Sequence, residues 1–444
     1  MTGSRAALIF VLLLPLVAQA APCPLAHKHP RQLQDLEDPS QKPFEAASDP
    51  DTLFLPPGFI APNDNATDPI PDAPPAPIAQ PDVGPLMMGY YPDWTSATLP
   101  PEKVDFSRYD WVDYAFALPT QDFNVTWDDP NAPALLNRLV TAAHAQGSKV
   151  KLSIGGWTGS KYFSPAVATD SSRQTFVDNI ALAFDQYKLD GIDIDWEYPG
   201  RAGNDGNLFT PQDTANFLSF LKLLRAKLPA DAHISAATLT TPFVDRNGAP
   251  SADVSEFGDV LNWITMMNYD VWGCMLTSSN PGPNAPFFDA CHNSTQPQAS
   301  AVAGYEQWTS AGFPGNKIVL GIPYYGYRSK SDNTHLRTRD DDNAQVEFRD
   351  LVSNGQLVKN TDPSGPAYIG GNGFTRQWDE CSGTPYLVSP EAHSVISYDD
   401  TESLAMKAKW VKEMGMMGVN TWDVHGDTDD LVLVEATREA MGLE

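Results

Sequence analysis

The 444-residue sequence predicts a closed parallel (β/α)8 barrel with a small α+β insertion between its seventh and eighth strands. Two observations carry this. Beyond Pro85, short apolar runs rich in β-formers alternate with amphipathic stretches of helical period, and the strand-like runs number eight. An open doubly wound sheet would place a Gly-rich phosphate loop after its first strand, where Met88-Gly89-Tyr90-Tyr91-Pro92 stands instead.

The N-terminal 20 residues read as a signal peptide. Arg5 precedes an apolar run from Ala6 to Val17, and Ala18-Gln19-Ala20 offers a small-residue cleavage site. That run is too short to span a bilayer, so no membrane association is expected and the protein should be secreted. Residues 21–84 form a Pro/Asp-rich linker or propeptide: roughly 16 prolines fall between positions 21 and 85, with too few apolar residues to bury a core. The domain at 85–444 then begins. Strands are expected at 86–91, 111–118, 149–154, 191–196, 233–239, 262–267, 317–322 and 418–422, with a helix following each strand. Helices are expected at 132–146, 171–188, 211–227, 299–311 and 402–414, with Ser171 and Pro211 as starts and Gly147 and Gly312 as stops. About 95 residues separate the last two strands, far beyond an ordinary connection, which places an insertion at roughly 328–398.

Composition limits the function. Lys+Arg 29 against Asp+Glu 56 leaves a net charge of −27, whose field repels phosphate backbones, so no nucleic-acid partner is expected. Of four cysteines, Cys274 and Cys291 are close enough in sequence to close one loop and are expected to pair. Cys23 and Cys381 either pair with each other or stay free. Sequons at Asn65, Asn124 and Asn293 suit a secreted glycoprotein. Neither Cys381 nor His425 lies in a ligand-spaced cluster, so no metal and no cofactor are expected.

The chemistry concentrates at the fourth strand, Asp190-Gly191-Ile192-Asp193-Ile194-Asp195-Trp196-Glu197-Tyr198-Pro199-Gly200. Side chains alternate with period two, so Asp193, Asp195 and Glu197 share one face and Ile192, Ile194 and Trp196 the other. Three inward carboxylates at about 7 Å spacing cannot all be ionised without strong repulsion. Stability does not favour such an arrangement. Glu197 stands at the carboxyl end of its strand, where barrel active sites are built, and is the natural proton donor. A calcium loop would need a central Gly and polar spacers, whereas the spacers here are Ile, Ile and Trp.

These residues resemble the glycoside hydrolase family 18 chitinases. The run from Asp190 to Glu197 is similar to the family's Asp-x-x-Asp-x-Asp-x-Glu motif, complete in its four acids. Ser153-Ile154-Gly155-Gly156-Trp157 resembles the third-strand motif, Met267-Asn268-Tyr269-Asp270 the sixth, Gly321-Ile322-Pro323-Tyr324-Tyr325-Gly326 the seventh, and Trp422 the eighth-strand tryptophan. The insertion and the return at Ser397-Tyr398-Asp399-Asp400 resemble those of the longer members. Thr421-Trp422-Asp423-Val424-His425 is less usual beside that tryptophan, and no chitin-binding module follows the barrel.

The resemblance implies hydrolysis of β-1,4 bonds between N-acetylglucosamine units of chitin or its oligomers. Glu197 would be acid and base, Asp195 and Asp193 a proton-sharing pair, and Tyr269 a donor to the substrate's acetamido oxygen. By the same resemblance the nucleophile would be that acetamido group, which fits Asp195 and Glu197 rising side by side from one strand, where they cannot easily flank the sugar. Substrate-lining residues are expected at Trp422, Asp270, Met267, Tyr90, Trp157, Trp272 and Asp190, whereas Trp111, Trp263 and Trp308 sit in core patterns. The protein is expected to act as a monomer. Two other readings share the motif: an endo-β-N-acetylglucosaminidase acting on N-glycans, against which the Met267–Asp270 run and Trp422 argue, and a non-catalytic chitin-binding lectin, which would typically lack Glu197.

Overall fold

The computed structural model describes residues 84–272, 282–330 and 340–444. The expected signal peptide, nearly all of the Pro-rich segment, Cys23, Cys274 and the Asn65 sequon lie outside the described residues.

Eight strands, Leu86–Pro92, Trp111–Pro119, Lys149–Gly155, Gly191–Asp195, His233–Thr238, Trp263–Met267, Ile318–Pro323 and Gly418–Trp422, pair in parallel in chain order. The first bonds to both the second and the eighth, which closes the barrel. Closure removes every exposed edge, and the outward faces bury apolar side chains under the helices. Ile192 and Ile194 are fully buried. Beyond them Phe176 stacks on Phe220 at 5.3 Å and Phe163 on Trp196 at 5.3 Å. Helices Ala132–Ala145, Asp170–Tyr187, Asp213–Lys227, Ala301–Ser310 and Thr401–Glu413 fall within two residues of the expected bounds. Asp170–Tyr187 starts one residue earlier than read, because Thr169 caps it by accepting from the Ser172 amide.

The first connection departs from the strand-then-helix pattern. Between the first two strands lie three 3-10 turns, Asp93–Thr95, Pro101–Lys103 and Phe106–Arg108. Pro100-Pro101 removes two amide donors and holds the preceding backbone extended, so no α-helix propagates there.

The insertion is a five-stranded antiparallel sheet, with Tyr325–Lys330 paired to Asp340–Glu347 on one side and to Ser394–Ser397 on the other. Helix Phe348–Ser353 and the hairpin Leu357–Lys359 with Tyr368–Gly370 complete it. Its disulfide corrects the expected pairing. Cys291 is bonded to Cys381, 90 residues away, with Cα atoms 5.1 Å apart, so Cys274–Cys291 is excluded and Cys381 is not free. The backbone brings them together: Phe287 and Ala290 donate to the Ser382 and Cys381 carbonyls. Closeness in sequence was the wrong guide, because the residues just before Cys291 are seated on the backbone of the insertion at Cys381 and Ser382.

Met88, Trp111, Trp263 and Val319 form an apolar cluster in the barrel, with Trp111 and Trp263 edge to face at 5.4 Å. Trp308 is buried on a helix and donates to the Leu239 carbonyl. All three of these tryptophans are core. Among the described residues no helix is long and apolar enough to cross a membrane.

Candidate active site

Register builds the site. Asp193 lies opposite Ser153 on the third strand and Ser235 on the fifth, so both hydroxyls reach its carboxyl: Ser235 donates to Oδ1 at 2.6 Å and Ser153 to Oδ2 at 2.8 Å. Tyr90, from the first strand, donates to Oδ2 at 3.1 Å. Asp195 lies opposite Gly155, which offers no side chain. A Cβ at Gly155 would meet the Asp195 carbonyl at 2.2 Å, and its φ of +117° also demands glycine. Asp195 Oδ1 is buried and has no hydrogen-bond partner among the described residues. Burial holds the Asp195 carboxyl well above the usual carboxylate range, and the negative charges of Glu197, Asp193 and Asp113 push it further.

Glu197 is only 8% exposed. Its carboxyl is pushed up to about 7, first by burial and then by Asp270, against the opposing hydrogen bond from Tyr198. Three groups fix its backbone. Ser160 Oγ accepts from the Glu197 amide at 2.8 Å, Asn207 Nδ2 donates to its carbonyl at 3.2 Å, and Gly203 packs so closely that a Cβ would sit 1.9 Å from that oxygen. Asn207 also donates to the Trp157 carbonyl at 2.9 Å, joining the turns after the third and fourth strands.

An aromatic floor lies beside the carboxylates. Trp422, half-buried, stacks on Phe116 with ring centres 5.6 Å apart and stands 5.3 Å from Tyr90 and 6.2 Å from Trp94, which is 61% exposed. On the other side Asp270 Oδ1 accepts from Tyr325 at 2.6 Å and Tyr327 at 2.5 Å, and its amide donates to Asn284. Burial raises the Asp270 carboxyl while the two hydroxyls lower it. Tyr269 keeps its proton, since burial and the charges of Asp195, Asp270, Glu197 and Asp193 all oppose its ionisation. The arrangement joins a buried carboxyl of raised proton affinity to hydrogen-bonding groups and a flat apolar surface, which suits proton donation to a ring-shaped polar substrate.

The family model for glycosyl hydrolases family 18 matches residues 86–427. The chain belongs to glycosyl hydrolases family 18. A "chitinase-like effector" of Moniliophthora roreri is 38% identical over 394 residues, covering 81% of this chain and 93% of that protein. A class V chitinase of Arabidopsis thaliana is 29% identical over 358 residues, covering 78% and 88%. Among solved structures, a chitinase from Rhizomucor miehei superposes with a TM-score of 0.69 at 31% identity, covering 80% of this chain and 99% of that one.

Within this family 18 barrel the expected site residues divide. Asp193, Asp195, Glu197, Tyr269, Asp270, Tyr90 and Trp422 converge, and half-buried Met267 ends the sixth strand two residues before Tyr269. Trp157 follows the third strand at the same end of the barrel and is half-buried. Asp190 does not join them. It precedes the fourth strand at the opposite end, where its carboxylate takes the His144 ring at 2.8 Å and the Val150 amide at 2.8 Å, so it braces the strand start. Trp272 turns inward and packs with Val271 and Ala299 at 6% exposure, which leaves it core.

Several site residues escaped the sequence reading. Trp94 follows the first strand by two positions, the same placement that singled out Trp157, and that rule finds it. Phe116 is turned toward Trp422 where the strand pairing shifts register between Ala115 and Ala117, an irregularity without a sequence cue. Tyr325 and Tyr327 alternate on one face of the insertion's first strand. Glu347, Asp423 and His425 also converge, with ligand atoms within 4.8 Å of one another, a cluster that sequence spacing hid. Both His425 nitrogens are engaged, Nδ1 with Glu347 at 2.7 Å and Nε2 with Thr98 at 2.8 Å, so hydrogen bonding accounts for the group.

Proposed function

We propose that the chain is a secreted chitinase that hydrolyses β-1,4 bonds between N-acetylglucosamine units with retention, using the substrate's acetamido group as nucleophile. The observation that carries this is the strand-four carboxyl series, in which buried Glu197 follows Asp193 and Asp195 along one strand and Tyr90 joins Asp193 to the Trp422 ring. Glu197 protonates the leaving glycosidic oxygen as the acetamido carbonyl oxygen attacks the anomeric carbon, and the bond to the leaving sugar breaks. Asp195 hydrogen-bonds the acetamido N–H, and Tyr269 donates to its oxygen. Glu197 then takes a proton from the water that opens the cyclic intermediate, so two inversions cancel.

Family membership, the names borne by the relatives and the intact Glu197 support this reading. The name "chitinase-like effector" on one relative favours a second, chitin binding without turnover. Incubation with a defined N-acetylglucosamine oligomer, followed by proton NMR of fresh product, separates them. The expected outcome is shorter oligomers with β anomers first, and none from cellulose oligomers. An α product or comparable glucan cleavage overturns substrate assistance; binding without products establishes the second reading. Export is tested by the N-terminus of protein recovered from the medium, expected just after Ala20.

A further inference from the structure

The barrel interior holds one cation, Lys151, that the reaction above does not use. It is fully buried on the third strand, two residues before Ser153. Its ammonium lies 3.0 Å from Asp113 Oδ1 and 4.4 Å from the centre of the Trp263 ring, and it donates to Ser235 Oγ at 2.7 Å. Asn420, from the eighth strand, donates to Asp113 Oδ2 at 2.9 Å.

The direction of these bonds follows from chemistry. An ammonium has three protons and no lone pair, so Ser235 must accept from it. The single Ser235 proton is then free for Asp193 Oδ1, 2.6 Å away. With Ser153 and Tyr90 donating to Oδ2, Asp193 is surrounded by donors and acts as an acceptor on both oxygens. Asp195 has the opposite surroundings, with no donor at its buried Oδ1. We infer that Lys151 is a positioning residue: acting through Ser235, it holds Asp193 as the acceptor carboxylate and leaves the proton of the two strand-four aspartates on Asp195. Asp195 thereby starts the reaction protonated, with its hydroxyl available to Glu197 and its carbonyl oxygen left to accept from the acetamido N–H. The inference rests on the reading of Asp195 and Glu197 as the reacting carboxyls.

The groups facing Lys151 are Asp113 from the second strand, Asp193 through Ser235, the Trp111 and Trp263 rings, and His233 with Lys149 toward the amino end. His233 is pushed down to about 4 by burial and the two lysines and stays neutral between pH 5 and 8, whereas burial pushes Asp113 up to about 6 against the pull of Lys151, so Asp113→Asn alone is titrated as the control for its own contribution. Tyr90 and Tyr269 hold their protons. Above the relay, Glu197 feels the charge of Asp195 and responds to any change in it, while Asp270 stays bonded to Tyr325 and Tyr327.

The test replaces the charge pair together, Lys151→Met with Asp113→Asn, so that no lone charge is stranded. Asp carboxyl carbons labelled with 13C are titrated by NMR, assigned with Asp193→Asn and Asp195→Asn, alongside the pH dependence of kcat/KM on an N-acetylglucosamine oligomer. In the unaltered protein the two carboxyl signals should separate, with the proton of the pair staying on Asp195. In the double variant the separation should shrink by about one pH unit or more, a tenfold change in the proton's distribution, and the acid limb of kcat/KM should move with it while KM holds. Ser235→Ala should reproduce the shift with Lys151 intact. A folded double variant with unchanged carboxyl titration and pH profile overturns the inference, since a purely structural lysine would alter only thermal unfolding. An unaltered protein that turns over no oligomer refutes the chitinase reading, and the carboxyl titration still decides the role of Lys151.

Discussion

The lower and upper halves of the barrel interior are built from the same strands by the same alternation, yet they treat charge in opposite ways. In the lower half every buried charge has a partner across the register: Asp113 lies opposite Lys151, and Asp193 lies between Ser153 and Ser235. In the upper half Asp195 lies opposite Gly155, and no cation pairs with Asp195 or Glu197 among the described residues. A third region follows the lower pattern, with Lys407 and Asp399 buried as an ion pair and Lys407 also donating to the Ala285 carbonyl. Asp195 and Glu197 therefore go without a cation, and burial raises their proton affinity unopposed by one, whereas at Asp113 and Asp399 the same effect of burial is countered by Lys151 and Lys407.

The sharpest way to break this contrast is Glu197→Gln, which keeps shape and removes the proton. Turnover should fall by about 10²–10⁴-fold. Stability should move the other way. The folded Glu197 pKa lies above its unfolded value of about 4.3, so the folded state is penalised only where the group ionises. That penalty is absent below about pH 4 and grows as pH rises toward 7. Thermal unfolding should find the variant more stable than the parent, by up to roughly 3 kcal/mol near pH 7, with the two converging near pH 4. Equal stability at both pH values would mean that Glu197 is solvated and the upper half is not what it appears from its register.

Lys151→Met alone should do the reverse, leaving Asp113 buried without its cation. Breaking a buried pair costs about 3–5 kcal/mol, while removing both charges costs far less. Denaturant unfolding of Lys151→Met, Asp113→Asn and the double variant forms a cycle that measures the coupling. Additive losses would show that the lower charges are not compensating one another.

Much of this contrast was legible in the sequence, for definite reasons. A period of two placed Asp193, Asp195 and Glu197 on one face without any knowledge of neighbouring strands, and eight apolar runs set the barrel order. Register was not legible. Nothing local to Lys151 says that it meets Asp113 and Ser235, which lie 38 and 84 residues away in the chain. The same holds for Tyr325 and Tyr327 at Asp270, and for Cys291 with Cys381. Asp190 misled for the complementary reason: motif membership placed it with the other acids, but three residues of strand carry about 10 Å, enough to move it to the far end of the barrel.

The smallest expected effect sharpens the contrast at its outer edge, where compensation gives way to exposed apolar surface. Trp94 is a large ring left mostly in solvent, within 6.2 Å of Trp422 and 6.3 Å of Phe116. An isolated exposed tryptophan needs no explanation, but one that extends a half-buried aromatic floor would, on the proposed chitinase reading, offer a surface for sugars beyond the cleaved pair. Covering roughly 60 Å² of its apolar face at about 25 cal/mol per Å² is worth about 1.5 kcal/mol, close to tenfold in affinity. Trp94→Ala should therefore raise KM several-fold on long oligomers, leave the shortest cleavable oligomer nearly unaffected, and change neither kcat nor thermal unfolding, because the ring is packed on few neighbours. Trp422→Ala, one contact inward, should damage all lengths alike. If Trp94→Ala weakened short and long oligomers equally, the floor would end at Trp422 and the exposed ring would play no part in holding the chain of sugars.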